Sequence, residues 1–112
     1  MTPQPKLQYK APTIPMTMSG GVVMPSWFNI EGIGSDGVGF FPLKEDPNDI
    51  DTSTKLIQNL INTEAGILGE YGQSRVMIGG ISGGGVIALS TLLQTKDKLA
   101  GCAALSTYIA GM

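Results

Sequence analysis

Apolar positions along the chain follow two different periods. In "TSTKLIQNLINTEAGILGEYG", residues 52–72, Leu56, Ile57, Leu60 and Ile61 recur at helical spacing. They predict a helix with one apolar face. Asp51 stands where a side-chain oxygen would accept from the first-turn amides, and Gly69 or Gly72 stands where the helix would stop. "RVMIGGI", residues 75–81, is a short continuous apolar run and predicts a buried strand. "GGVIALSTLLQT", residues 84–95, returns to a helical pattern, and "AGCAALSTYIAG", residues 100–111, predicts another buried strand with loose ends.

The first half is less regular. Pro3, Pro5, Pro12 and Pro15 each remove a backbone donor and disfavour helix in the residue before. One short strand fits in "LQYKAPTIP", residues 7–15. "VVMPSWFNI", residues 22–30, is an apolar and aromatic patch interrupted by Pro25. "EGIGSDGVGFFPLKEDPND", residues 31–49, is rich in Gly, Asp and Pro and reads as a loop. The order strand, loop, helix, strand, helix, strand predicts an α/β fold, a short parallel sheet with helices on its faces. No repeat and no second domain shows in residues 1–112.

Charge narrows the function classes. The chain of 112 residues has a formal net charge of -2, and its 7 basic residues are scattered. Nucleic acid needs a basic patch to replace phosphate counterions, and an anionic membrane surface needs a basic cluster. Neither partner is indicated. Cys102 is the single cysteine and there is no histidine, so no internal disulfide and no Cys/His zinc set can form. A reducing compartment fits. The polar, proline-bearing start "MTPQPKLQYK" lacks the apolar core of a secretion signal, and no run reaches the length of a membrane span. The expected location is the cytosol, with nuclear access left open, and no cofactor is implied.

The chemistry concentrates in "VMIGGISGGGVIAL", residues 76–89, where Gly80-Ile81-Ser82-Gly83-Gly84 joins a strand pattern to a helix pattern. Such an elbow holds a serine in a strained bend between strand and helix. Gly80 and Gly84 keep side chains out of the crossing. The Gly83 N–H faces a developing oxyanion, and the helix N-terminus favours negative charge there. The competing interpretation is a glycine-rich turn that only permits close packing, or that binds a phosphate at the helix end. A serine hydroxyl also needs a base, and the usual histidine is missing.

Other candidates are weaker. Gly32-Ile33-Gly34-Ser35-Asp36-Gly37 matches the dinucleotide pattern in letters, but no strand leads in and Gly39 and Pro42 oppose a following helix. Glu45, Asp46, Asp49 and Asp51 lack the spacing of a calcium loop and suit a solvated loop and helix cap. Trp27, Phe28, Phe40 and Phe41 are candidates for an acyl pocket or for plain core.

"VVMPSWFNI", "RVMIGGISGGGVIALSTLL" and "KLAGCAALSTYI" together resemble successive blocks of the acyl-protein thioesterases and related small carboxylesterases. The likeness runs from about Leu7 to the C-terminus and is weakest from Glu31 to Asp51. The resemblance implies an α/β-hydrolase fold and hydrolysis of fatty-acyl thioesters on S-acylated proteins, or of small acyl esters. It implies Ser82 as nucleophile and Gly83 as the oxyanion-hole backbone donor, at a position where the family usually has glutamine. The family also has an earlier strand with a His-Gly-rich loop, and an acid and a histidine after the serine. No counterpart of that strand precedes Leu7. Among later residues only Asp97 is acidic, between Lys96 and Lys98 and a helix length, about 20 Å, from the hydroxyl. The expectation is the central part of a hydrolase domain, inactive or nearly so alone. The alternative is a non-catalytic module that binds lipid or a complementary chain, with exposed sheet edges open to self-association.

Overall fold

The structure is a computed structural model and describes residues 8–35, 37 and 39–110. Two antiparallel hairpins come first. β1 (Thr13–Met16) pairs with β2 (Val22–Pro25), Thr13 opposite Pro25 and Met16 opposite Val22. A short 3-10 turn, Thr17–Ser19, and Gly20 and Gly21 at φ 69° and 88° turn the chain between them. The expected strand over 7–15 therefore begins later, and Leu7 lies outside the described residues. Pro15 and Pro25 do not prevent pairing, because a two-stranded ribbon has only edge strands, where a missing N–H can face outward.

The expected loop over 31–49 is corrected. β3 (Gly32–Ser35) and β4 (Phe40–Leu43) form a second antiparallel hairpin, with Gly32 opposite Leu43 and Ser35 opposite Phe40. Gly37, at φ 85°, sits in its turn. Gly and Pro, which read as loop punctuation, fit here because both strands are edges. The Gly32–Gly37 pattern thus lies in a strand and hairpin turn with no helix after it, and Asp36 lies outside the described residues.

Helix α1 spans Pro47–Leu68, and its cap is Asp46, not Asp51. Pro47 occupies the first turn, where its fixed φ suits the helix and its missing N–H costs nothing. Asp46 Oδ1 accepts from the N–H groups of Asn48 (2.9 Å) and Asp49 (3.3 Å). Asp51 instead pairs with Lys55 one turn on, at 2.9 Å. Gly69 ends the helix at φ 81°, as expected of one of the two glycines.

A second 3-10 turn, Gln73–Arg75, leads into β5 (Met77–Ile81), then α2 (Gly83–Gln94) and β6 (Gly101–Leu105). β5 and β6 pair in parallel, from Met77 opposite Gly101 to Ile81 opposite Leu105. α2 packs on both strands and α1 packs on α2. The core is Phe28, Ile50, Val86 and Ile87, with Trp27, Ile57 and Tyr108 against it. Where the helices meet, the Thr54 hydroxyl donates to the Ile50 carbonyl (2.7 Å) and shares a hydrogen bond with Ser90 Oγ (2.9 Å).

The expectation of buried strands is also corrected. Ile78 and Gly80 are half-buried, whereas Met77, Ile81 and Leu105 are 66%, 67% and 58% exposed. Among the described residues, β5 packs mainly against β6 and α2, and the face that carries Met77 and Ile81 is left exposed.

Two glycines respond oppositely to a methyl group. A Cβ on Gly80 would lie 2.2 Å from the Gly84 carbonyl oxygen, which is backbone and cannot swing away. Gly80→Ala is expected to destabilise by about 1–3 kcal/mol. Gly66, inside α1, has nothing within 4 Å of such a Cβ, and Gly66→Ala is expected to stabilise by about 0.5–1 kcal/mol. Urea unfolding of the two variants checks both signs.

Candidate active site

Ser82 lies between the last residue of β5 and the first of α2, exposed, at φ 54° and ψ −119°. That conformation is costly for any residue with a Cβ. It is held from both sides. The Ser82 N–H donates to the Leu105 carbonyl (2.9 Å), and the Ser82 carbonyl accepts from the Val86 N–H (3.1 Å) and the Thr107 hydroxyl (2.8 Å). The Ser82 side chain makes no capping bond to the helix it precedes, so the hydroxyl stays at the crest.

α2 begins with Gly83, Gly84 and Gly85, and the first intrahelical bond belongs to Val86. The three preceding N–H groups have no intrahelical acceptor, which is the general condition of a helix start. They lie at the positive end of the helix dipole. Sequence reasoning singled out Gly84, but Gly85 is the tighter position. A Cβ on Gly85 would lie 2.7 Å from Thr107 Cβ, whereas on Gly84 it would make ordinary contact, 3.5 Å, with Trp27 Nε1.

An open groove of about 320 Å³ runs past the serine. Ser82, Gly83 and Phe28 line it together, and Ile33 and Pro42 of the β3–β4 hairpin and Tyr108 complete its apolar wall. Trp27 does not share this groove. It lines a second cleft, about 1210 Å³, between α1 and β5, with Gly80 and Gly84. Phe28 itself is buried in the core with one edge at the groove. Phe40 and Phe41 lie on β4, and their side chains are outside the described residues. Asp97 is exposed beyond the far end of α2, a 12-residue helix about 18 Å long, and its carbonyl accepts from Gln73 Nε2 (2.8 Å).

The acidic cluster is spread over structural tasks. Asp46 caps α1, Asp51 pairs with Lys55, and Asp49 Oδ2 accepts from the Asn29 N–H at 3.0 Å. Among the described residues no three His, Cys, Asp or Glu side chains are placed to hold a metal ion.

Ile33, Pro42, Ser106 and Tyr108 were not singled out from the sequence. Nothing in their local pattern announces them, because the first two depend on an unexpected hairpin and the last two on the exit of β6. Ser106 sits at φ 50°, a second strained residue beside the first. The Tyr108 hydroxyl donates to Glu45 Oε2. Burial, that hydrogen bond and the nearby Glu45 charge all push the phenol pKa up.

Residues 7–111 match the phospholipase/carboxylesterase family. The chain belongs to that family. Among its relatives, acyl-protein thioesterase 1 homolog 1 of Dictyostelium discoideum is 38% identical over 100 residues, covering 88% of this chain and 41% of that protein. Acyl-protein thioesterase 1 of Cryptococcus neoformans is 35% identical over 103 residues, covering 88% of this chain and 40% of the relative. The crystal structure of Arabidopsis thaliana SOBER1 superposes with a TM-score of 0.76 at 28% identity, covering 92% of this chain and 46% of that one. This phospholipase/carboxylesterase chain therefore has part of an α/β-hydrolase fold, and it spans about two fifths of the length of the curated relatives it matches.

Two consequences are measurable. Glycine adopts the Ser82 backbone conformation without a Cβ clash, so Ser82→Gly is expected to raise stability by about 1 kcal/mol in urea unfolding. Tyr108 holds its proton more tightly folded than unfolded. Its stabilisation is whole below about pH 10, the ordinary tyrosine value, and is lost as pH rises toward the raised one. The stability advantage of wild type over Tyr108→Phe is expected to hold steady to about pH 9.5 and to narrow above it.

Proposed function

We propose that Ser82 is the nucleophile of an acyl-transfer site that cleaves fatty-acyl thioesters on S-acylated proteins, or small carboxylic esters, in the cytosol. The observation that supports this most is the Ser82 backbone, strained at the crest of a strand–helix bend on the lining of a groove with an apolar wall. A turn that only allowed close packing would gain nothing from a Cβ at φ 54°. The Gly83 N–H serves as the oxyanion donor and would take charge from the tetrahedral intermediate. The groove wall of Phe28, Ile33 and Pro42 would hold the acyl chain.

Proton transfer is the missing part. The 112 residues contain no histidine, and Asp97 lies at the wrong end of α2. The base would come from outside these residues, and alone they turn over slowly. A second reading, a non-catalytic module that binds a complementary chain, draws support from the bare residues Met77 and Ile81 of β5.

The test compares wild type with Ser82→Ala. Slow fluorophosphonate labelling that maps to Ser82 by mass spectrometry and disappears in the variant is the expected result. Equal labelling of both would leave the second reading in place. Hydrolysis of a hexadecanoyl thioester more than about 10⁴-fold above the uncatalysed rate would overturn the claim that the base is missing, since a site without its full triad keeps at most that much.

A further inference from the structure

We propose that Tyr108 and Glu45 form a latch that fixes the β3–β4 hairpin beside Ser82 and so sets which acyl chains the groove admits. The inference rests on reading that groove as an acyl site. Its geometry comes from two segments that are 63 residues apart in sequence and meet in one hydrogen bond, from the Tyr108 hydroxyl to Glu45 Oε2.

Glu45 is the exit of the hairpin. It follows Leu43, the last residue of β4, and immediately precedes Asp46, the cap of α1. The link between is one residue long and is tied to the neighbouring strand. Lys44 sits at φ 48°, the Lys44 ammonium lies 3.6 Å from Glu31, and the Glu31 N–H donates to the Leu43 carbonyl at 2.9 Å. The Asp46 N–H donates to the Asn29 carbonyl at 3.0 Å, which ties the same point to the segment carrying Phe28. A force on Glu45 is therefore passed to the strands that place Ile33 and Pro42 in the groove wall.

Tyr108 is the other half. It lies beyond the end of β6, next to Thr107, whose hydroxyl braces the Ser82 carbonyl. Its ring packs against the core and lines the groove. The phenol keeps its proton through the neutral range, so it remains a donor to Glu45. Tyr108 is a positioning residue. It acts through Glu45 on the distance between the hairpin and the elbow, not on reacting atoms.

Binding of two non-hydrolysable probes, S-hexyl and S-dodecyl N-acetylcysteine thioethers, tests the latch on the 112-residue chain by amide shifts of Ile33 and Gly83. Tyr108→Phe keeps the ring and removes the donor. It is expected to move the hexyl-to-dodecyl affinity ratio by roughly tenfold in favour of dodecyl, the size of one charge-assisted hydrogen bond. Glu45→Ala removes the same bond along with the rest of that carboxylate's contacts, so it is expected to move the ratio in the same direction and at least as far, and the double variant no further than Glu45→Ala. Glu45→Gln, whose amide oxygen still accepts, stays within about threefold of wild type.

A loss of affinity for both probes with an unchanged ratio means general loosening and overturns the latch. So does a ratio that Tyr108→Phe and Glu45→Ala leave unmoved while both probes bind. If neither probe shifts Ile33 or Gly83 in wild type, the acyl reading of the groove fails first and the specificity role falls with it. A urea-unfolding cycle over positions 45 and 108 then reports separately whether the two side chains are coupled.

Discussion

The site depends on the backbone of Ser82 being held in a conformation that is costly for a residue with a Cβ. Strain of this kind costs about 1–3 kcal/mol and persists only when neighbours over-determine it. Here the last rung of the parallel ladder does so. β5 and β6 pair up to Ile81 opposite Leu105, and the next bond runs from the Ser82 N–H to the Leu105 carbonyl. The Thr107 hydroxyl grips the other side of the same residue. A slip of one residue in the β5–β6 register would move both partners away, so the position of the hydroxyl is a property of the sheet, not of the turn alone.

The same constraint explains the glycines around it. Gly80 lets α2 begin within contact of β5, and Gly85 lets Thr107 cross close to the helix. With those two approaches open, the start of α2 sits directly over the strand end, and its N–H groups gather at the serine. Phe28 then joins the site to the core, since it packs with Ile50, Val86 and Ile87 and also lines the groove.

The sequence made the second half of the fold legible because its signals are local. An apolar run, a glycine-rich bend and a helical pattern follow in order from Arg75 to Gln94, and each element falls where its pattern lies. The first half was not legible for the opposite reason. The β3–β4 hairpin is an isolated edge pair in which Gly and Pro are tolerated, so its composition looks like loop. The start of α1 lies five residues before the expected one because Pro47 opens the helix and Asp46, not Asp51, supplies the cap. Ser82 and Gly83 could be placed from their neighbours, but Ile33, Pro42 and Tyr108 reach the groove through tertiary packing, which periodicity does not record. Trp27 and Phe28 are adjacent in sequence, yet they line different clefts on the two sides of the elbow.

Tyr108 also bears on where the base comes from. Among the described residues that line the groove it is the titratable one, and a phenol accepts a proton only as phenolate. Burial and the Glu45 carboxylate push it the other way, toward the neutral form. The environment that makes Tyr108 a dependable donor to Glu45 therefore disqualifies it as the partner of Ser82. In the proposed reading, the exposed serine, the helix-start amides and the apolar wall would bind and orient an acyl group, and an ester oxygen would find its donor at Gly83. Deprotonating the attacking hydroxyl needs a group tuned near neutral pH. The groove presents instead one tuned away from it, which separates substrate positioning from proton transfer in these residues.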